Sequence, residues 1–138
     1  MTSDTAQPMS VEATAAVYER YVAGDGEDLS MLADDVVFRI MATGEEHRGR
    51  DGVARLFASW YEERFKADAE EVSRVVGPGR VAAEWVFFGT HVGEFDGVPA
   101  TGKAVRVPFV LVYELSNDEI TEARVYFEFP VLHAQLGA

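Results

Sequence analysis

Cysteine is absent from the 138 residues. That removes disulfides, thiolate metal ligands and thiol nucleophiles together. Basic residues are scarce: 12 Lys and Arg stand against 24 Asp and Glu, for a formal net charge of -12. Such a surface repels phosphate backbones and anionic lipid, so neither nucleic acid nor membrane is expected as a partner. No apolar run approaches the roughly 20 residues of a spanning helix. The opening stretch MTSDTAQPMS lacks the basic and apolar regions of a signal peptide, and a cytoplasmic location is expected. There is no G-x-S-x-G, phosphate-binding loop or dinucleotide fingerprint, and His47, His91 and Glu94 lack metal-ligand spacing. No cofactor and no metal are therefore expected.

What is present is apolar and aromatic. Hydrophobic residues make up 48% and aromatics 12%, with nine Phe, five Tyr and two Trp. A folded interior is expected from such a composition. The length suits one domain and leaves no room for a second core. The aromatic residues exceed what a small core requires, so some are free to line a cavity.

Residues 1–9 read as a disordered tail and residues 10–138 as a single domain. Ser10 is a fitting N-cap, and Val11, Ala15, Tyr18 and Val22 recur at helical spacing. Gly24-Asp25-Gly26 stops that helix, and Leu29 to Leu32 allows one more turn. Val36 to Met41 reads as a strand, and Gly44 to Gly49 as a polar connection. A second helix is expected from Asp51 as N-cap, with Val53, Leu56, Phe57 and Trp60 on one side and a Glu62–Lys66 pair in solvent. The period then becomes strand-like over Ala69 to Val76, Arg80 to Phe95, Lys103 to Leu115 and Glu119 to Phe129. Gly77-Pro78-Gly79, Asp96-Gly97 and Ser116-Asn117-Asp118 supply the turns, and Pro130 opens a closing helix that Gly137 ends. Helices placed before an antiparallel meander imply an α+β fold with helices on one face of the sheet. Long strands with internal glycines such as Gly89 and Gly93 curl, leaving a cavity between the concave face and the helices.

Several strings add to this order: ADDVVFRI, GRDGVARLF, THVGEFDGVPATGKAV and DEITEARVYFEFPVLHAQLG. Together they span about Val11 to Gly137. They resemble the SnoaL-like branch of the nuclear transport factor 2-like superfamily. The resemblance implies a cone-shaped, cystatin-like α+β barrel: a curved antiparallel sheet with helices packed on its concave face. It also implies a homodimer through the convex sheet face. The superfamily holds polyketide cyclases, ketosteroid isomerases, epoxide hydrolases, dehydratases and binding modules, so the fold alone names no reaction.

The catalytic positions of those relatives are occupied differently here. The acid/base Asp of the aldol cyclases falls at Val125, and its partner His at Leu111. The residues of limonene-epoxide-hydrolase relatives fall at Val125, Trp85, Phe87, Phe38 and Ile40. The base of ketosteroid isomerases falls at Ile40, and its oxyanion Tyr at Val17, next to Tyr18. Side chains alternate along strands, so the inward set includes Phe38, Ile40, Trp85, Phe87 and His91. The later strands add Phe109, Leu111, Tyr113, Val125 and Phe127, and the helices add Tyr18 and Trp60. This describes an aromatic, uncharged pocket for a hydrophobic small molecule, or equally a filled core.

Four residues are candidates for chemistry. An imidazole can act as acid or base near neutral pH, so His91 is a candidate for that role, or it serves as a rim histidine bonded to backbone. Glu128 beside Phe127 and Phe129 can be a buried acid, or favour the start of the closing helix. Tyr113 can donate to a ligand carbonyl, and Tyr18 can join His91 or Glu128 in acid/base work. Three functions follow: a cyclase that holds a polyketide-like chain by shape, an acid/base isomerase, aldol cyclase or dehydratase, and a non-catalytic binding domain. An open cavity of roughly 300 Å³ or more would favour a ligand-handling protein.

Overall fold

The structure, a computed structural model, describes residues 9–137. Helix α1 spans Val11–Ala23. The Ser10 side chain accepts from the Ala13 N–H at 3.0 Å, satisfying one of the free donors of the first turn. Its buried face is Thr14, Val17, Tyr18 and Tyr21, one step around from the stripe through Val11, Ala15 and Val22. The polar Thr14 explains the shift. Its hydroxyl donates to the Ser10 carbonyl at 2.7 Å and accepts from the Gly79 N–H at 2.9 Å, tying α1 to the turn at Gly77-Pro78-Gly79. A polar residue thus sits on the inner face, where an apolar pattern does not look for it.

The further turn expected after α1 is present, without extending into a helix. Leu29 to Leu32 makes a single turn, and Leu32 already opens strand β1, Leu32–Ile40. The polar connection that follows contains a short strand, β2, Glu45–Arg48, paired antiparallel with β1. Helix α2 spans Gly49–Ala58, and Asp51 lies inside its first turn rather than at its N-cap. The chain then widens into a π-helical turn, Ser59–Arg64. Lys66 already belongs to β3, Phe65–Gly77, so the expected Glu62–Lys66 helical pair has no helix to stand on.

Strands β4 (Arg80–His91), β5 (Ala104–Ser116) and β6 (Glu119–Phe127) complete the meander, and α3 (Phe129–Leu136) closes the chain. Gly137 takes the left-handed C-cap conformation, φ 79°. The sheet order is β2-β1-β6-β5-β4-β3. The sheet is mixed rather than wholly antiparallel, because β1 runs parallel to β6. Hairpins force their strands antiparallel, but β1 reaches β6 only through the intervening helix and meander, so either direction is open to it. It is also not closed into a barrel: β2 and β3 stand at its two ends. At Gly89 a Cβ would collide with the Lys66 carbonyl and Ala67 on β3, so only glycine lets β3 approach this closely. Among the described residues no helix is long and apolar enough to cross a membrane.

Candidate functional site

The concave face of the sheet encloses a cavity of about 640 Å³. Its existence follows from what β3 offers. The inward side chains of that strand begin with Phe65, fully buried, and then shrink to Ala67 and Ala69, both on the cavity wall. Nothing on β3 fills the space that the aromatic residues of the neighbouring strands leave.

Phe38 and Ile40 on β1 line the cavity, as do Trp85 and Phe87 on β4. Phe109 and Leu111 on β5, Val125 and Phe127 on β6, and Trp60 in the π-helical turn join them. Of the inward set expected on the strands, all but His91 line this one surface. Val125 and Leu111, where relatives carry their Asp and His, both face this space. Tyr21, Phe57, Tyr61 and Glu71, outside the inward set expected from the sequence, line it too. Tyr21 shares the Thr14–Tyr18 face of α1. Tyr61 arrives through the π turn, which breaks the 3.6 period on which the α2 stripe was read.

The four chemical candidates separate. Tyr113 lines the cavity and is almost wholly buried. Tyr18 is fully buried behind it, with ring centroids 5.1 Å apart. The Tyr18 hydroxyl donates to Glu71 Oε2 at 2.8 Å. Arg74 donates to Glu71 Oε1 through Nη2 at 2.6 Å, and its guanidinium stands 4.8 Å from the centre of the Tyr18 ring. Both Glu71 oxygens are therefore occupied.

His91 is not on the cavity wall. It is fully buried against Phe65, centroids 5.2 Å apart. Its Nδ1 accepts from the Thr101 N–H at 3.1 Å and lies 2.9 Å from Thr101 Oγ1. With Nδ1 accepting, the neutral ring carries its proton on Nε2, which is buried without a partner among the described residues. The ring thereby pins the turn between β4 and β5. Glu128 is exposed and lies outside the cavity, in a shallow depression on the opposite face of the sheet. It precedes α3 but makes no side-chain capping bond. His133 pairs with Asp96, Nε2 to Oδ2 3.0 Å, and so links α3 to the turn at Asp96-Gly97.

Four phenols stand on or behind the cavity wall. Burial is the first cause that raises the pKa of each. For Tyr18 the hydrogen bond and charge of Glu71 add to it. The other contributions are Tyr61 on Tyr21, the Asp68 carboxylate on Tyr61, and neighbouring phenols on Tyr113. All four stay neutral through the ordinary pH range and act as hydrogen-bond donors rather than as bases. Among the described residues no three acidic or histidine side chains are disposed to hold a metal. The site can therefore enclose an apolar molecule, exclude water from it and donate to an oxygen on it.

Comparison with known proteins agrees with this architecture. TsrD from Streptomyces laurentii superposes with a TM-score of 0.76 at 21% identity, covering 92% of this chain and 96% of that one. IdmH from Streptomyces antibioticus superposes with a TM-score of 0.68 at 27% identity, covering 92% and 97%. A proposed ketosteroid isomerase from Kribbella flavida does so with a TM-score of 0.64 at 16% identity, covering 85% and 78%. No match was found among curated proteins. Residues 12–136 match the SnoaL-like polyketide cyclase family, and the chain belongs to that family.

Proposed function

We propose that this protein is a cyclase that folds a hydrophobic, polyketide-like chain inside its cavity and controls closure mainly by shape. The carrying observation is the cavity of about 640 Å³ with aromatic and aliphatic walls, in which Val125 and Leu111 replace the acid/base pair of relatives. A pericyclic closure redistributes bonds within the substrate and asks no proton of the protein. Holding a flexible chain in a near-attack shape can supply about 7 kcal/mol or more of the barrier. Neutral phenols of Tyr21, Tyr61 and Tyr113 suit the remaining task, donation to a substrate carbonyl.

An acid/base isomerase or dehydratase is less well supported. His91 and Glu128 lie outside the cavity, and Glu71, a carboxylate on its wall, is held by Tyr18 and Arg74. The family likeness extends to IdmH, itself a proposed polyketide cyclase. The homodimer implied by resemblance would use the convex face, where Val72 and Tyr126 are 63% and 45% exposed beside a shallow depression.

The test is turnover of linear polyketide-like candidates by wild type and Trp85→Ala, followed by product chromatography. A large loss in Trp85→Ala, with a pH–rate profile unaltered by His91→Ala, supports shape control. Unchanged turnover in Trp85→Ala would sink it. Saturable binding with no product would make the protein a carrier or sensor.

A further inference from the structure

The charge around the cavity opening bears on what enters. Five of the lining residues are exposed carboxylates. Asp25 and Glu27 follow α1, Glu62 sits in the π turn, and Asp68 and Glu70 stand on β3. No lysine, arginine or histidine is found among the described residues that line the cavity. Some carboxylates elsewhere are paired: Glu114 and Glu122 lie 2.8 Å and 2.9 Å from Arg124, and Glu46 lies 3.0 Å from Arg39. The five at the opening make no ion pair with any described residue. Like charges rimming an apolar cleft focus a negative potential into it.

A second observation lies deeper. Tyr21 is only 7% exposed, lines the cavity, and its hydroxyl has no hydrogen-bond partner among the described residues. No described residue occupies that donor, so an acceptor on a ligand in the cavity can take it. The cavity thus asks for an acceptor inside and a cation at the rim. The carboxylates ring the opening and do not converge as a metal site would. Tyr61 stands on the same wall, and an aromatic ring attracts an organic cation, whereas Trp60 beside it already has the Arg64 guanidinium 5.8 Å from its ring centre.

We infer that the ligand is amphiphilic, with an apolar body bearing a hydrogen-bond acceptor that meets Tyr21 and a protonated amine that rests among the rim carboxylates. This deepens the reading of the cavity as a small-molecule site and rests on it. The same electrostatics select against carboxylates and phosphates. A substrate tethered through an acidic group close to its reacting end would be rejected.

The experiment uses the full chain and three probes with one ring body: 1-pyrenemethylamine, 1-pyrenemethanol and 1-pyrenecarboxylate, titrated by fluorescence anisotropy at pH 7. The amine is expected to bind roughly 10-fold more tightly than the alcohol, and the carboxylate more weakly than either. The preference should shrink at 0.5 M salt, roughly the regime of a Debye length of a few ångströms. It should also shrink in Asp25→Asn/Glu27→Gln/Glu62→Gln, and in Asp68→Asn alone. A control, Glu12→Gln/Asp35→Asn/Asp118→Asn, removes the same charge from residues off the cavity wall and should preserve the ratio. Equal binding of all three probes overturns the inference and leaves the cavity intact as a ligand site. An equal loss of preference in the control also overturns it, since the cause would then be the net charge of the whole molecule. Binding of none of them overturns the small-molecule reading itself.

Discussion

The concave face has two ends built from similar residues, and they differ in what they enclose. Around Phe65 the rings of Trp60, Phe87, Phe95 and His91 lie with centroids 5.8, 5.3, 5.6 and 5.2 Å away, and the space is filled. Around Tyr113 the rings of Tyr18 and Tyr21 lie 5.1 and 5.9 Å away, yet an open cavity adjoins them. Aromatic content does not distinguish the two. What lies opposite does. At the filled end the segment after β4 folds back, with Val92 and Gly93 N–H groups donating to the Arg64 carbonyl, and Phe95 plugs the gap beneath α3. At the open end β3 presents Ala67 and Ala69. A core and a pocket are thus separated by the size of a few opposing side chains.

That contrast can be broken from either side. The largest effect is expected in alkali, which attacks the open end alone because Tyr18, Tyr21 and Tyr113 meet there and Tyr61 joins them on the cavity wall. The unfolded chain releases phenolic protons near pH 10, while the folded chain keeps them to higher pH. Native stability is therefore intact below about pH 10 and lost above it, by about 1.4 kcal/mol per pH unit for each phenol held neutral. Denaturant melts from pH 8 to 11, with absorbance at 295 nm, should show ionisation and unfolding together. Phenols that titrate before the fold opens would contradict the burial described.

Phe65→Ala should lower stability by about 3–5 kcal/mol, because a fully buried ring leaves a void amid packed neighbours. Ala69→Phe should convert the open end into a second filled one. Its expected outcome is loss of pyrene-probe binding with a stability change under about 1–2 kcal/mol, since the new ring enters vacant space. Strong destabilisation there would show that the space is not available. Tyr113→Phe should keep the fold and weaken a carbonyl-bearing ligand by about 5–10-fold, the worth of one hydrogen bond. The smallest effect on binding is expected from His91→Ala, which should lower the melting temperature through its lost packing and leave ligand affinity within twofold.

The sequence made some of this legible for clear reasons. Gly77-Pro78-Gly79 and Asn117-Asp118 marked two hairpin turns, and the positive φ values of Gly79, Asn117 and Asp118 show why such residues stand there. The period of two along β1, β4, β5 and β6 placed nearly the whole wall. Strand β2 escaped notice because four polar residues at a sheet edge carry no apolar alternation. The parallel β1–β6 pairing joins residues far apart in the chain, and local patterns are silent about it. Whether the aromatic set was core or pocket depended on Ala67 and Ala69, small residues whose absence of bulk has no motif. The position of His91 depended on the Thr101 contact, which belongs to tertiary structure.

Strand β3 carries a consequence beyond the cavity it borders. Its thirteen residues, Phe65–Gly77, pair with β4 on one side only, and a long unpaired edge is a template for joining another copy of itself. Lys66, Asp68 and Glu70 stand exposed along that edge. Their charges make edge-to-edge docking of two copies unfavourable, and the register shift between Glu71 and Ser73 interrupts the regular ladder further on. The carboxylates that give the opening its sign are thus also among the groups that keep the chain from polymerising, and evolving the pocket toward an anionic substrate by discharging β3 would trade away solubility.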